Sequence, residues 1–296
     1  MSAEQKIRVG VDIGGTKVAY GLVNAEDKII SEIRRFEVAR YEEAEALVHG
    51  MVEQFEALLS DHDCRPDQAA GLGVGTPGPL DLETGTVLNT PNMPIFRDFG
   101  LKAALREAAD MPVELNNDAN VFVLGEALAG QAQDGEIVLG VTLGTGFGCG
   151  LVQNKRIYVG ATGTAAEIAT CPYRDAYLED YVSGRGLSMM YEQRTGEKVH
   201  GPELARRAAQ DEPAAIEAFR EFGGHVGSAF AWFVNLLDPD FIVVGGSIAK
   251  DWQYIVESVH QTMYEYINPK PTDHLKIVRS ELGESAAIIG AAGLLR

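Results

Sequence analysis

V-G-V-D-I-G-G-T-K-V-A-Y-G-L-V-N, Val9 to Asn24, is the stretch from which the rest of the chain is read. A run of β-branched and small residues reaches a carboxylate, Asp12, and is followed by Gly14, Gly15, Thr16 and Lys17 before apolar residues resume at Val18. The pattern predicts strand, glycine turn, strand, with a turn that brings bare backbone N–H groups close to a ligand. Donors, one cation and one metal-seeking carboxylate are thereby gathered at a single tip.

The same pattern returns at Leu139 to Asn154, L-G-V-T-L-G-T-G-F-G-C-G-L-V-Q-N. Gly10, Val11 and Gly14 match Gly140, Val141 and Gly144, and Gly21-Leu22-Val23 matches Gly150-Leu151-Val152 after a one-residue gap. This reads as a duplicated lobe, whose two glycine hairpins would face one another across a cleft and hold a phosphate chain by oriented amides. G-G-T-K is not a Walker loop, because it leads into a strand and lacks the G-x-x-x-x-G-K spacing.

Between and beyond the hairpins, a third strand is expected over Lys28 to Glu37. An amphipathic helix is expected over Tyr41 to His62, where Leu47, Val48, Met51, Val52, Phe55, Leu58 and Leu59 keep the helical period. Ala70 to Gly75 is a short buried strand broken by the Thr76-Pro77-Gly78-Pro79 turn. A helix over Leu101 to Asp110 and a strand over Pro112 to Leu115 follow, and that strand delivers Asn116, Asn117 and Asp118 at its end. Asp118 then opens a helix over Ala119 to Gly130, and on local pattern it is either a helix cap or a functional carboxylate; a helix N-terminus favours its charged form. Phe219, Phe222, Val226, Phe230 and Phe233 have the spacing of a buried helix face. Phe241 to Ser247 is a buried strand ending in Gly245 and Gly246, and Ala286 to Leu295 is a small-residue helix fit for close packing.

The D-I-G-G-T-K hairpin, the L-G-T-G-F-G hairpin and the L-N-N-D-A-N stretch at Leu115 to Asn120 resemble the ROK family of sugar kinases and repressors, from about Arg8 to the C-terminus. The resemblance implies an α/β, two-lobed actin-like ATPase (ribonuclease H-like) fold, with duplicated sheet domains around a cleft. Its N-terminal lobe would be 1–117, closed by a C-terminal helix at about 285–296, and its C-terminal lobe 118–284. It implies ATP-dependent phosphorylation of a hexose or hexose-derivative hydroxyl. Asp118 would be the general base, and Asn92, Asn117, Asp118, Glu167 and Glu179 would bind the sugar. Asp12 would hold Mg²⁺ through water, and Gly14, Gly15, Thr16, Gly144, Thr145 and Gly146 would cradle the phosphates. Lys17 would be either a supporting charge or a solvated turn lysine, and Gly245 and Gly246 either the adenosine turn or a plain strand-to-helix turn. Many relatives form homodimers, and one is expected here.

The chain departs from the resemblance after Glu167. Family members follow the matching glutamate with Gly-His and a cysteine-rich zinc loop, whereas this chain has Glu167-Ile168-Ala169-Thr170 and a short segment from Cys171 to Glu179. Zinc needs three or four soft or imidazole ligands, and Cys171 alone cannot supply them, so no structural zinc is expected. Packing by Pro172, Tyr173, Tyr177 and Tyr181 is expected instead. The six histidines fall outside every motif and receive no role.

Composition sets the outer bounds. The 296 residues suffice for two cores. A net charge of −18, from 25 Lys plus Arg against 43 Asp plus Glu, opposes binding to nucleic acid or anionic membrane. Three separated cysteines, with no signal core and no run near the ~20 apolar residues of a membrane span, suggest the cytoplasm. A repressor of this family carries an N-terminal helix-turn-helix, for which there is no room before Ile7. A sugar- or nucleotide-binding sensor without turnover is the remaining alternative to a kinase.

Overall fold

The computed structural model describes residues 7–90 and 93–296. Asn92, expected to contact sugar, lies outside the described residues. Contacts within the chain divide it into two units. One comprises Met1–Asp134, Gly150–Ala165 and Glu281–Arg296, and the other Gly135–Cys149 and Ala166–Ser280.

The first unit holds β1 (Ile7–Ile13), β2 (Lys17–Val23), β3 (Arg34–Glu37), α1 (Ala44–Asp61) and β4 (Ala69–Thr76). A small hairpin, β5 (Leu80–Asp81) and β6 (Thr86–Val87), precedes α2 (Leu101–Ala109), β7 (Val113–Asn117) and α3 (Asp118–Ala129). The strands form one sheet in the order β3-β2-β1-β4-β7, antiparallel across β1, β2 and β3 and parallel across β1, β4 and β7. The third strand is shorter than expected. Before Arg34 the chain makes only an isolated bridge at Ile29, and Ser31 Oγ accepts the Leu22 N–H that a regular ladder would use. The apolar stripe of α1 is buried in one cluster with Val9, Val11, Ile13 and Tyr20.

The second sheet opens with β8 (Ile137–Leu143) and β9 (Phe147–Gln153), which carry the other glycine hairpin, and β10 (Arg156–Ile157) pairs back on β9; from Gly150 onward β9 and β10 are grouped by contacts with the first unit. Next come β11 (Pro172–Tyr173), β12 (Ala176–Tyr177), α4 (Leu178–Val182), α5 (Gly184–Thr195), α6 (Gly201–Ala208) and α7 (Pro213–Leu237). The chain continues through β13 (Phe241–Gly245), α8 (Val256–Tyr266) and β14 (Lys276–Arg279), and α9 (Glu284–Gly293) then belongs to the first unit. The second sheet has the order β10-β9-β8-β13-β14, with β13 parallel to both its neighbours. The five apolar positions picked out on α7 are all buried. No helix among the described residues is long and apolar enough to cross a membrane.

The contacts place the division elsewhere than at residue 117. Helix α3 is apolar almost all round, with Ala119, Val121, Phe122, Val123, Leu124 and Ala127 buried, so it must be covered on several sides. It is covered largely by α9, which is distant in sequence. Glycine makes that contact a backbone-to-backbone one: a Cβ at Gly125 would overlap the carbonyl of Ala286, and one at Gly290 the carbonyl of Val121. On its other side α9 meets the sheet in the same way, where a Cβ at Gly10 would overlap the Ile288 carbonyl and one at Gly73 that of Ala291. Just beyond the helix, Arg296 pairs with Asp27, which also binds Arg8 at 2.9 Å.

The short segment after Thr170 is held by aromatic contacts, though not by all the residues expected. Tyr177 is 57% exposed and Pro172 is exposed too, because the β11–β12 hairpin turns both outward. Tyr173 and Tyr181 pack edge to face with ring centroids 5.2 Å apart, and both pack on His225. The Tyr173 hydroxyl lies 2.9 Å from His225 Nδ1. His225, given no role from the sequence, is buried, and its burial together with the Arg174 charge lowers its pKa to about 4, against the opposing pull of Glu221. It is therefore a neutral hydrogen-bonding member of this cluster at physiological pH.

Gly73→Ala is expected to lower the denaturation free energy by about 3 kcal/mol or more, since neither the sheet nor the α9 backbone can yield. Gly201→Ala, where a methyl meets open space, should leave the urea midpoint unchanged or slightly raised. Equal midpoints for Gly73→Ala and the parent would show that α9 is not seated by glycine.

Candidate active site

Three parallel strands of the first sheet end side by side. Their register aligns Asp12 of β1 with Gly75 of β4, and Gly75 with Asn116 of β7. With neighbouring strands ~4.8 Å apart, the row spans roughly 10 Å. Beyond Asn117 the chain passes into α3 with no linker, so Asp118 is the first helical residue. The N-cap position belongs to Asn117 rather than Asp118. Asn117 Oδ1 accepts the Ala119 N–H at 2.9 Å, and Asp118 Oδ1 shares the same donor at 2.8 Å. A Cβ at Gly78 would stand 3.2 Å from Asn117 Nδ2, so the turn after β4 lies against this corner.

The electrostatics of the corner are dominated by burial. The Asp12 pKa is raised to about 7, first by desolvation and then by the charges of Asp118 and Glu284, with Lys17 opposing. No hydrogen bond among the described residues reaches its carboxylate. Burial also raises the Asp118 pKa, against the lowering effect of the Ala119 N–H. The expectation that a helix N-terminus would favour the charged form is thus outweighed by desolvation. Asp12 and Asp118 are near enough for the charge of one to disfavour ionisation of the other, a cost that a hard cation would lower; Asp12 is the carboxylate that could hold one such as Mg²⁺, although no group of three or more metal-ligating side chains occurs among the described residues.

At the first hairpin, the Gly14 N–H closes the turn onto Lys17 O at 2.9 Å. Gly15 and Thr16 are exposed, and their N–H groups make no hydrogen bond among the described residues. Lys17 is not a free turn lysine: its Nζ lies 2.7 Å from Glu284 Oε1, and Arg35 Nε reaches Glu284 Oε2 at 2.8 Å. Glu284, the first residue of α9, carries no motif. Only the packing of α9 on the sheet brings it to the hairpin.

The second hairpin repeats the economy of the first. Gly144 N–H donates to Gly146 O at 3.1 Å, leaving the N–H groups of Thr145 and Gly146 at an exposed tip without a hydrogen bond among the described residues. Gly184, at the start of α5, donates to Gly144 O at 2.7 Å. Glu179 of α4 accepts the Phe147 N–H at 3.1 Å, and its other oxygen lies 3.6 Å from Arg185. Glu167 is exposed in the turn-rich segment before Cys171. A cleft of about 870 Å³ opens beside the tip, lined in part by Gly144, Thr145, Gly184, Arg185, Ser247 and Ile248. The turn after β13 therefore lines the cleft with the residues that follow its glycines. Gly246 has φ +89°, and a Cβ there would overlap the Leu143 backbone, so close packing on β8 accounts for it.

Residues 8–296 match the family described as ROK. Among curated relatives, a glucokinase from Streptomyces coelicolor is 27% identical over 98% of each chain. An N-acetyl-D-glucosamine kinase from Vibrio parahaemolyticus is 28% identical over 96% of this chain and 98% of its own. The crystal structure of a ROK glucokinase from Streptomyces griseus, in complex with glucose and AMPPNP, is 28% identical with a TM-score of 0.80, over 97% of this chain and 98% of its own. With its two five-stranded sheets and its strand-end carboxylates, the chain belongs to the ROK family and is a carbohydrate kinase of the two-domain actin-like ATPase fold.

Proposed function

We propose that the protein transfers the γ-phosphoryl group of ATP to a hydroxyl of a hexose or hexose derivative, with Asp118 as general base. The observation that carries this reading is the desolvated Asp118 carboxylate at the first residue of α3, directly after the end of β7 and near enough to Asp12 that its charge helps raise the Asp12 pKa. Phosphoryl transfer to an alcohol needs positioning, charge neutralisation and an acceptor for one proton. A buried carboxylate whose pKa is raised is a stronger base than one in water, provided the pH lies above that pKa. Asp118 would accept the hydroxyl proton, with Asn117, Glu167, Glu179 and Asn92 hydrogen-bonding the remaining hydroxyls.

Gly15 and Thr16 in one unit, and Thr145 and Gly146 in the other, offer unspent N–H groups suited to phosphate oxygens. The cleft beside Thr145 has the volume for a nucleoside, with Gly245 and Gly246 holding the turn that frames it. Mg²⁺, when bound, would neutralise phosphate charge; Asp12 would hold it through water. Glucose and N-acetylglucosamine, named for the relatives, are the first substrates to test, and the family likeness favours a homodimer.

Asp118→Asn tests the base. It keeps shape and most hydrogen bonding but cannot take the proton, so kcat with the best sugar should fall by about 10²–10⁴ while nucleotide binding holds. Because Asn caps about as well as Asp, a purely structural Asp118 would leave both kcat and the melting temperature near wild type. Wild-type turnover in the variant would remove the base assignment. ADP release with no sugar, from a panel including glucose, mannose, fructose and their N-acetylamino forms, would leave the sensor reading in its place.

Asp12 has its own signature. Its pKa is raised above the ordinary 3.8, so the folded state holds a proton that the unfolded chain releases, and stability falls as pH rises from about 4 to about 7. Asp12→Asn should therefore be more stable than the parent, by a margin that grows between about pH 5 and pH 7 and then levels off. The same variant should bind Mg·nucleotide more weakly. Thermal melts across this range showing a constant margin would contradict the burial of Asp12.

A further inference from the structure

We propose that Asn116 and Asn120 act as a positioning pair that fixes the direction of the Asp118 carboxylate, an inference that rests on the reading of Asp118 as the base. The corner between β7 and α3 is made by one residue, Asn117, with extended φ −61° and ψ 145°, after which the chain is helical at once. Nothing between strand and helix absorbs error, so any rotation of the first helical turn swings Asp118 with it. A misplacement of ~1 Å is enough to cost ~10²-fold in rate where proton acceptor and hydroxyl must align.

One oxygen pins this corner. Asn116 Oδ1 accepts the Asn117 N–H at 2.9 Å and Asn120 Nδ2 at 2.9 Å. It thus ties the last turn of strand to the first turn of helix, with Asp118 spanned between the two bonds. Both side chains are buried, Asn116 at 7% and Asn120 at 3% exposure. Asn120 Oδ1 has no hydrogen-bond partner among the described residues. An orphaned amide oxygen is an expensive way to fill space, since an apolar side chain of similar volume would avoid that cost. What the amide contributes is its donor, which neither an apolar residue nor an aspartate provides.

The wall behind the pair is also built to closeness. A Cβ at Gly150 would lie 2.8 Å from Asn120 Oδ1, 3.0 Å from Asn120 Cα and 3.1 Å from the Ala119 carbonyl. The bare backbone of β9 therefore stands directly against the first turn of α3, leaving it little room to rotate. The pair and the glycine together hold the turn from two sides, and neither touches the reacting groups.

The test compares Asn120→Ala and Asn120→Asp with the parent and with Asp118→Asn, using kcat per properly folded molecule. Both Asn120 variants lose the donor, one by truncation and one at constant volume. Each should lose roughly 10–100-fold in kcat with KM for the nucleotide nearly unchanged. Asn116→Asp retains an acceptor for both donors while adding a charge. It should keep the high-pH plateau of kcat and move its acid limb upward, whereas Asn116→Leu should lose the plateau. Wild-type kcat in both Asn120 variants, or a loss that only follows the folded fraction, would overturn the pairing while inactive Asp118→Asn leaves the base reading intact. Active Asp118→Asn would remove the base reading and the pair with it.

Discussion

The first unit depends on the seating of α9 against backbone rather than against side chains. Where two helices ordinarily stand 8–10 Å apart, with side chains between them, bare glycines let carbonyls take the place of methyl groups. Because α9 meets β1 and β4 on one side and α3 on the other, the three elements cannot shift independently. The consequence reaches the site directly. β1 ends in Asp12, β4 runs into the turn at Gly78, α3 begins with Asp118, and α9 begins with Glu284, which holds Lys17 and Arg35. A helix recruited from the far end of the chain thus sets the relative placement of Asp12 and Asp118 and, through Glu284, engages Lys17.

That rigidity creates an electrostatic cost. Asp12 and Asp118 are kept close and poorly hydrated, and each carboxylate disfavours ionisation where it stands. The cost falls on the residues to which the proposed phosphoryl transfer is assigned. Asn117, meanwhile, occupies the N-cap position, and Asp118 shares with it the Ala119 N–H rather than capping the helix alone.

Much of this was legible in the sequence because it is written with short-range periods. The glycine hairpins, the α1 stripe and the phenylalanines of α7 announce themselves within a few residues, and the order of hairpins with N-N-D between them identifies the family. What was not legible depends on long-range packing. Lys17 meets Glu284 across 267 residues of sequence, and no local pattern marks either as a partner. Helix α3 reads as the start of a second lobe until its all-round apolar surface is matched with α9. Tyr173 and Tyr177 look alike in sequence, yet the register of one short hairpin packs the first against His225 and exposes the second. Gly246 is either a ligand turn or a plain turn on local pattern, and what the pattern does not announce is the nearness of the Leu143 backbone, which requires a glycine there in either case.

If Asp12, with its pKa raised to about 7, holds Mg²⁺ as proposed, it gives up a proton when the metal-bound nucleotide binds near neutral pH. Calorimetric titration of Mg·AMPPNP at pH 6.5, repeated in two buffers of different ionisation enthalpy, counts the protons released on binding. The expected result is a substantial fraction of a proton released by the parent protein beyond that released by Asp12→Asn, falling toward zero as the pH is raised above 8. Identical proton counts for parent and variant at pH 6.5 would contradict the account, because Asp12 would then be already charged, or not engaged, when the nucleotide binds.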